Sequence, residues 1–170
     1  MELVRFSNKY LAGLYLLFVS ANTWLTGCNQ GVGPEPLPQY GISGVVKFRN
    51  WPPRDSVVDL RLVAFKNFSS QNIIAQLLAG EARFTDSLKP YGAASIHYTL
   101  LLSPLQPGNL SYIAVAQRFG ASLFADWRAV GVFYRSGDTT HPGSVFVPAN
   151  AVVPGINIDV DFSNPPPQQF

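Results

Sequence analysis

Cysteine and histidine are scarce: 170 residues hold one thiol, Cys28, and two imidazoles, His97 and His141. A lone thiol closes no internal disulfide and excludes zinc sites of the multi-cysteine kind. Two histidines, with no Gly-x-Ser-x-Gly elbow, leave little for nucleophilic catalysis. Charge is sparse too, at 13 % of residues and a net +2, so the concentrated basic face that a phosphate backbone requires is missing and nucleic acid is not an expected partner. The longest apolar run near the N-terminus, Tyr10 to Val19, is about half the roughly 20 residues of a spanning helix. Disorder is excluded by a hydrophobic content of 47 %.

What is present favours strands. Fourteen prolines and fourteen glycines punctuate a chain rich in Val, Ile, Phe and Tyr. Ile42, Val46 and Phe48 alternate with Ser43, Lys47 and Arg49, a strand with one buried face that Trp51-Pro52-Pro53 ends. Between Val57 and Asn67, Leu60, Leu62 and Ala64 take one parity and Val63 and Phe65 the other, as in a strand covered on both sides. Ala82 to Asp86, Ala94 to Ser103, Leu110 to Phe119, Ala129 to Tyr134 and Ser144 to Val147 read as further strands. The last strand carries Ile156, Ile158, Val160 and Phe162 on one face and Asn157, Asp159 and Asp161 on the other. Gln71 to Leu78 has helical spacing and should dock on the sheet or cover an open end, although helix and strand are hard to separate there. The expectation is an all-β, antiparallel Greek-key β-sandwich of about seven strands with one short helical insert; a small barrel is the alternative.

The N-terminus has a secretory layout. Arg5 and Lys9 precede the apolar run, a more polar stretch follows from Ser20 to Trp24, and Leu25-Thr26-Gly27-Cys28 closes it. This segment, an expected signal helix, resembles the signal of bacterial lipoprotein precursors, which ends in Leu, a small residue, Gly or Ala, and Cys. The resemblance implies cleavage after Gly27, a thioether from Cys28 to a diacylglyceryl group, and an acylated (palmitate-type) amine that anchors the chain in membrane lipid. Each buried methylene contributes about 0.8 kcal/mol, so two or three chains hold where one would not. Asn29 stands where many inner-membrane lipoproteins carry Asp, which implies the outer membrane, on its periplasmic or surface face. The chain then divides into a signal peptide (1–27), a Pro- and Gly-rich tether (28–40), the sandwich (41–163) and a Pro-rich tail (164–170).

The runs Gly41 to Phe48, Asp59 to Phe65 and Ile158 to Phe162 resemble the transthyretin-like modules called carboxypeptidase regulatory-like domains. The Trp-Pro-Pro segment and the insert at Gln71 to Leu78 depart from their usual pattern.

Candidate chemistry is thin. Asp138 and His141 share a polar loop and could approach each other, while His97 reads as an ordinary strand histidine. Asp159 and Asp161 project from one strand face, too few ligands for calcium, which takes six to eight oxygens. No metal, cofactor or catalytic residue is expected. Aromatic rings are the better thread, because sugars stack on them and partner interfaces favour them. Trp51 and Tyr91, both in expected connections, are the weak candidates for a ligand, with Trp51 alternatively plugging an end of the sandwich; Trp127 reads as core. The expected role is a non-enzymatic envelope module meeting a protein partner, or alternatively a surface carbohydrate-binding module.

Overall fold

Alternation of apolar and polar side chains puts one dry face on each of the long strands, and two such faces meet. In the computed structural model, residues 39–136 and 138–168 are described. Cys28, the expected signal peptide and all but the last two residues of the expected tether lie outside them. The strands are β1 (Gly41–Arg49), β2 (Asp59–Phe65), β3 (Ala82–Phe84), β4 (Ser95–Leu101), β5 (Gly108–Leu110), β6 (Tyr112–Arg118), β7 (Trp127–Val132), β8 (Val145–Val147), β9 (Val152–Val153) and β10 (Ile158–Asp161). One helix, α1 (Ile73–Leu78), follows β2. The protein is an all-β sandwich.

The first sheet is built around β1. Strand β4 runs antiparallel along one edge of it, pairing Gly41 with Leu101 and Lys47 with Ser95. Both β9 and β10 run along the other edge, and they do so parallel to β1. The expected antiparallel pattern therefore fails at this edge. The reason is local: β9 and β10 are one extended segment broken by a jog at residues 154–157, where the Ile156 amide donates to the Ser43 carbonyl at 3.0 Å and Asn157 Oδ1 accepts from the Val45 amide at 3.0 Å. Gly44 permits the jog, because a Cβ there would lie 2.1 Å from the Ile156 carbonyl oxygen.

The second sheet, in order β3-β2-β6-β7, is antiparallel throughout, and β5 and β8 form a small separate ladder. Its inner face places Leu60, Leu62, Ile113, Val115 and Val130 against Ile42, Val46, Leu100, Ile158 and Val160 of the first sheet. Burying side chains of this size contributes about 1.5–3 kcal/mol each. The outer face of the second sheet is apolar as well: Phe65, Tyr112, Ala114 and Val132 lie under Phe68 and under Ile73 and Leu77 of α1. This is the doubly covered β2 that its two apolar parities imply. The helix stops at Leu78, and Gly80, at φ +73°, turns the chain away.

Gln117 is the one wholly buried polar side chain on the inner face among the described residues. Its Nε2 donates to the Ser56 carbonyl at 2.6 Å and its Oε1 accepts from Arg128 Nε at 3.0 Å, so both ends of the amide are satisfied. The tail uses a glutamine in another way. Gln168 Oε1 accepts from the Ala129 amide at 3.0 Å while its Nε2 donates to the Ala129 carbonyl at 3.1 Å, along the outer edge of β7.

The two sheets share a polarity. Strand β1 runs from a Tyr40 end to a Trp51 end. At the Tyr40 end the Leu102 amide donates to the Tyr40 carbonyl and Arg83 Nε, across from Ala64, donates to the Leu102 carbonyl at 3.2 Å. The crossing Asn50–Val58 starts β2 at the Trp51 end, and β6 pairs Arg118 with Asp59 and Trp127. The β6–β7 turn therefore sits at the Trp51 end, far from the start of β1.

Closure of the core depends on a bare α-carbon in β7. A Cβ on Gly131 would stand 2.7 Å from Val160 Cγ2 and 2.9 Å from Ile158 Cγ2. Gly131→Ala should lower stability by about 1–3 kcal/mol through overpacking, read as a lower urea midpoint with an unchanged slope; an unchanged midpoint would show that β10 can move away without cost.

Candidate functional site

The Trp51 end of the sandwich gathers aromatic rings. After Arg49, Asn50 takes φ 55° and its side chain donates to Asp161 Oδ1 at 2.8 Å, which turns the chain over the end of the core. Trp51 then lies with its centroid 4.8 Å from each of Phe48, Phe162 and Tyr91. Its indole N–H donates to the Ala93 carbonyl at 3.0 Å. The Tyr91 hydroxyl donates to the Pro52 carbonyl, and the Arg54 guanidinium sits 5.0 Å from the Tyr91 ring centroid. Both sequence candidates are therefore brought together, half-buried, with their polar atoms bonded to this chain's own backbone. The cluster caps the core.

Asp138 and His141 also meet, with Nδ1 3.3 Å from Oδ2. The surroundings are those of a turn. Asp138 Oδ1 accepts from the Thr140 amide at 2.8 Å, from Thr140 Oγ1 at 2.7 Å and from the His141 amide at 3.1 Å. Thr140 Oγ1 lies 2.9 Å from His141 Nδ1, the same nitrogen that faces Asp138. A nucleophile, base and orienting acid need opposite nitrogens of the ring. Here hydroxyl and carboxylate converge on one, so the group locks a loop and forms no relay. The Thr140 hydroxyl, with the Thr140 and His141 amides, holds the Asp138 carboxyl well below the usual carboxylate range.

Other candidates are dispersed. His97 is exposed on the outer face of the first sheet, beside a shallow open trough whose walls include Ser43, Val45, Thr99, Pro154 and Asn157. Asp159 points to solvent, whereas Asp161 holds Asn50 and accepts from the Ser163 amide at 3.0 Å; the Asn50 amide is the main cause of its lowered pKa. Among the described residues no group of three or more His, Cys, Asp or Glu is placed to hold a metal ion. No helix among them is long and apolar enough to cross a membrane.

Trp127 corrects the sequence reading. It is half-buried at the outer end of β7 and belongs to neither core cluster, because its indole N–H reaches back to the Leu123 carbonyl at 2.8 Å and so braces the β6–β7 turn. That turn holds residues the sequence reading passed over: Phe119 is exposed, and Leu123 and Phe124 are 65 % and 64 % exposed. The available signal was the lack of polar side chains at Ala121, Leu123, Phe124 and Ala125 in a hairpin loop, where they are normally plentiful.

Comparisons of the chain with models of known protein families, with curated proteins and with solved structures found no match.

The Asp138 turn has a measurable acid signature. A carboxylate whose folded pKa is depressed stabilises the fold above its unfolded value of about 3.9 and loses that contribution as pH falls through the lower folded value. The amide resonances of Thr140 and His141 should hold their positions through pH 4 and move only in stronger acid; movement centred near pH 4 would mean that the turn is open in solution.

Proposed function

We propose that this protein is a lipid-anchored envelope protein, without catalytic activity, whose β-sandwich serves as a binding or scaffolding module. The observation that carries the proposal is Leu25-Thr26-Gly27-Cys28, which stands shortly before the first strand at Gly41. A signal that ends in the chain's one thiol, followed by a Pro- and Gly-rich segment and then a sandwich, is the arrangement of an anchor, a leash and a displayed domain. Asn29 favours the outer membrane. The likeness of β1, β2 and β10 to carboxypeptidase regulatory-like modules agrees with a non-catalytic role, on the analogy of fold alone. The convergence of Thr140 and Asp138 on a single histidine nitrogen weighs against a hydrolase at that loop.

Mass spectrometry of protein extracted from membranes tests the anchor. The native N-terminus should be Cys28 bearing a diacylglyceryl thioether, and Cys28→Ala should pass into the soluble fraction or accumulate uncleaved. A mature protein that begins upstream of an unmodified thiol would refute the reading.

Capture of glycan is the second reading, favoured by the meeting of Trp51 and Tyr91 rings at 4.8 Å. It is the weaker one, since the same rings seal the core. Trp51→Ala should cost about 2–3 kcal/mol of stability, below the range for a fully buried Trp because the ring is only partly buried. A glycan array run with folded wild-type protein decides: micromolar binding would move the assignment to carbohydrate recognition.

A further inference from the structure

We propose that the turn between β6 and β7 is a membrane-contacting tip, in which Leu123 and Phe124 enter the acyl region of a bilayer while Arg118 and Arg128 meet its anionic headgroups. The proposal rests on the lipid-anchor reading and deepens it.

Three features of the turn point to lipid. The first is its apolar surface: Leu123 and Phe124 are adjacent and project from the outer end of a hairpin with Phe119 exposed beside them. The second is the state of its backbone. The Phe119 amide donates to the Asp126 carbonyl at 3.0 Å, the Ser122 amide to Asp126 Oδ2 at 2.7 Å, the Phe124 and Ala125 amides to Ser122 Oγ at 3.4 and 3.1 Å, and the Leu123 carbonyl accepts from the Trp127 indole. In hydrocarbon each unsatisfied amide costs several kcal/mol, so these bonds lower the cost of approach. The amides of Gly120, Ala121 and Leu123, without partners among the described residues, keep the backbone at headgroup depth and leave entry to the side chains. The one carboxylate of the turn, Asp126, is folded inward on the Ser122 amide, and a Cβ on Gly120 would collide with it at 2.3 Å.

The third feature is the layer behind the tip. Trp127, Arg118 and Arg128 follow at the strand ends, the aromatic and basic side chains that favour the depth of the headgroups. Arg128 lies 5.7 Å from the Phe119 ring centroid and donates Nε to Gln117. Arg118 Nε is buried and has no partner among the described residues, and its guanidinium makes no ion pair among them. The positive charge of this guanidinium, unpaired by a carboxylate among the described residues, suits an anionic headgroup, while Nε itself is sealed from solvent and ligand alike. A protein pocket would need to match the shape of two bulky side chains, whereas acyl chains conform to them. Residues 28–40, at about 3.5 Å each when extended, are long enough to let the Trp51 end of a sandwich about 30 Å long face the bilayer.

The test uses the mature lipidated protein reconstituted in vesicles of phosphatidylcholine and phosphatidylglycerol whose acyl chains carry bromine. The Trp127 emission is obtained as the difference from Trp127→Phe. It should fall at least about two-fold relative to unbrominated vesicles and shift to shorter wavelength. The double change Leu123→Ser and Phe124→Ser should abolish the quenching while leaving far-UV circular dichroism and vesicle sedimentation unchanged. Protein that sediments with the vesicles yet leaves Trp127 unquenched overturns the tip proposal alone, and points to a protein as the occupant of the turn. Protein that stays in the supernatant overturns the anchor reading and the tip proposal with it.

Discussion

Everything in this sandwich is arranged about the two hydrogen-bonding edges of β1. One edge takes β4, and the other is divided between β9 and β10, which arrive parallel from the far end of the chain. Gly44 makes this possible, since only a residue without a Cβ can accept the Ile156 carbonyl at that distance. With β10 seated, Ile158 and Val160 complete the inner face and lie directly over Gly131 of the opposite sheet. Two glycines in different sheets thus set how closely the layers approach.

The same seating fixes the two ends. Because β10 finishes beside Arg49, Phe162 falls under Trp51 and the aromatic cap assembles from three separated stretches of chain. The crossing that carries Trp51 also delivers β2 in the orientation that sends the β6–β7 turn to that end. A rigid cap and a projecting apolar turn are therefore products of one topology. Gln117 ties them, with its amide held between the crossing at Ser56 and the strand that leaves the turn at Arg128.

Strands with one dry face were legible from sequence: Ile42, Val46 and Phe48 in β1, and Ile158 and Val160 in β10, announce themselves by period two. The doubly apolar β2 was legible for the same reason, whereas Gln71 to Leu78 had helical spacing that did not by itself separate a helix from a strand. Strand β9 was not, because two residues carry no period and their partner lies more than a hundred positions away. The break between β5 and β6 was hidden as well. It is imposed at Ser111, whose amide donates to the Phe65 carbonyl and whose hydroxyl accepts from Phe68, contacts that no local pattern encodes. At the candidate sites, residue spacing foretold that Asp138 and His141 could meet but not that both partners would face a single ring nitrogen. Trp127 misled because an apolar ring near a strand suggests core, whereas its N–H made it a brace.

The tail's contact with β7 bears on how copies of the protein tolerate crowding. Three prolines at 165–167 offer no amide donors, so the tail cannot extend the ladder as backbone. Gln168 instead presents a side-chain carboxamide that mimics one peptide unit and occupies both the donor and the acceptor of Ala129. A strand edge satisfied in this way gives a neighbouring molecule no template there for edge-to-edge polymerisation, and the prolines beside it cannot supply one.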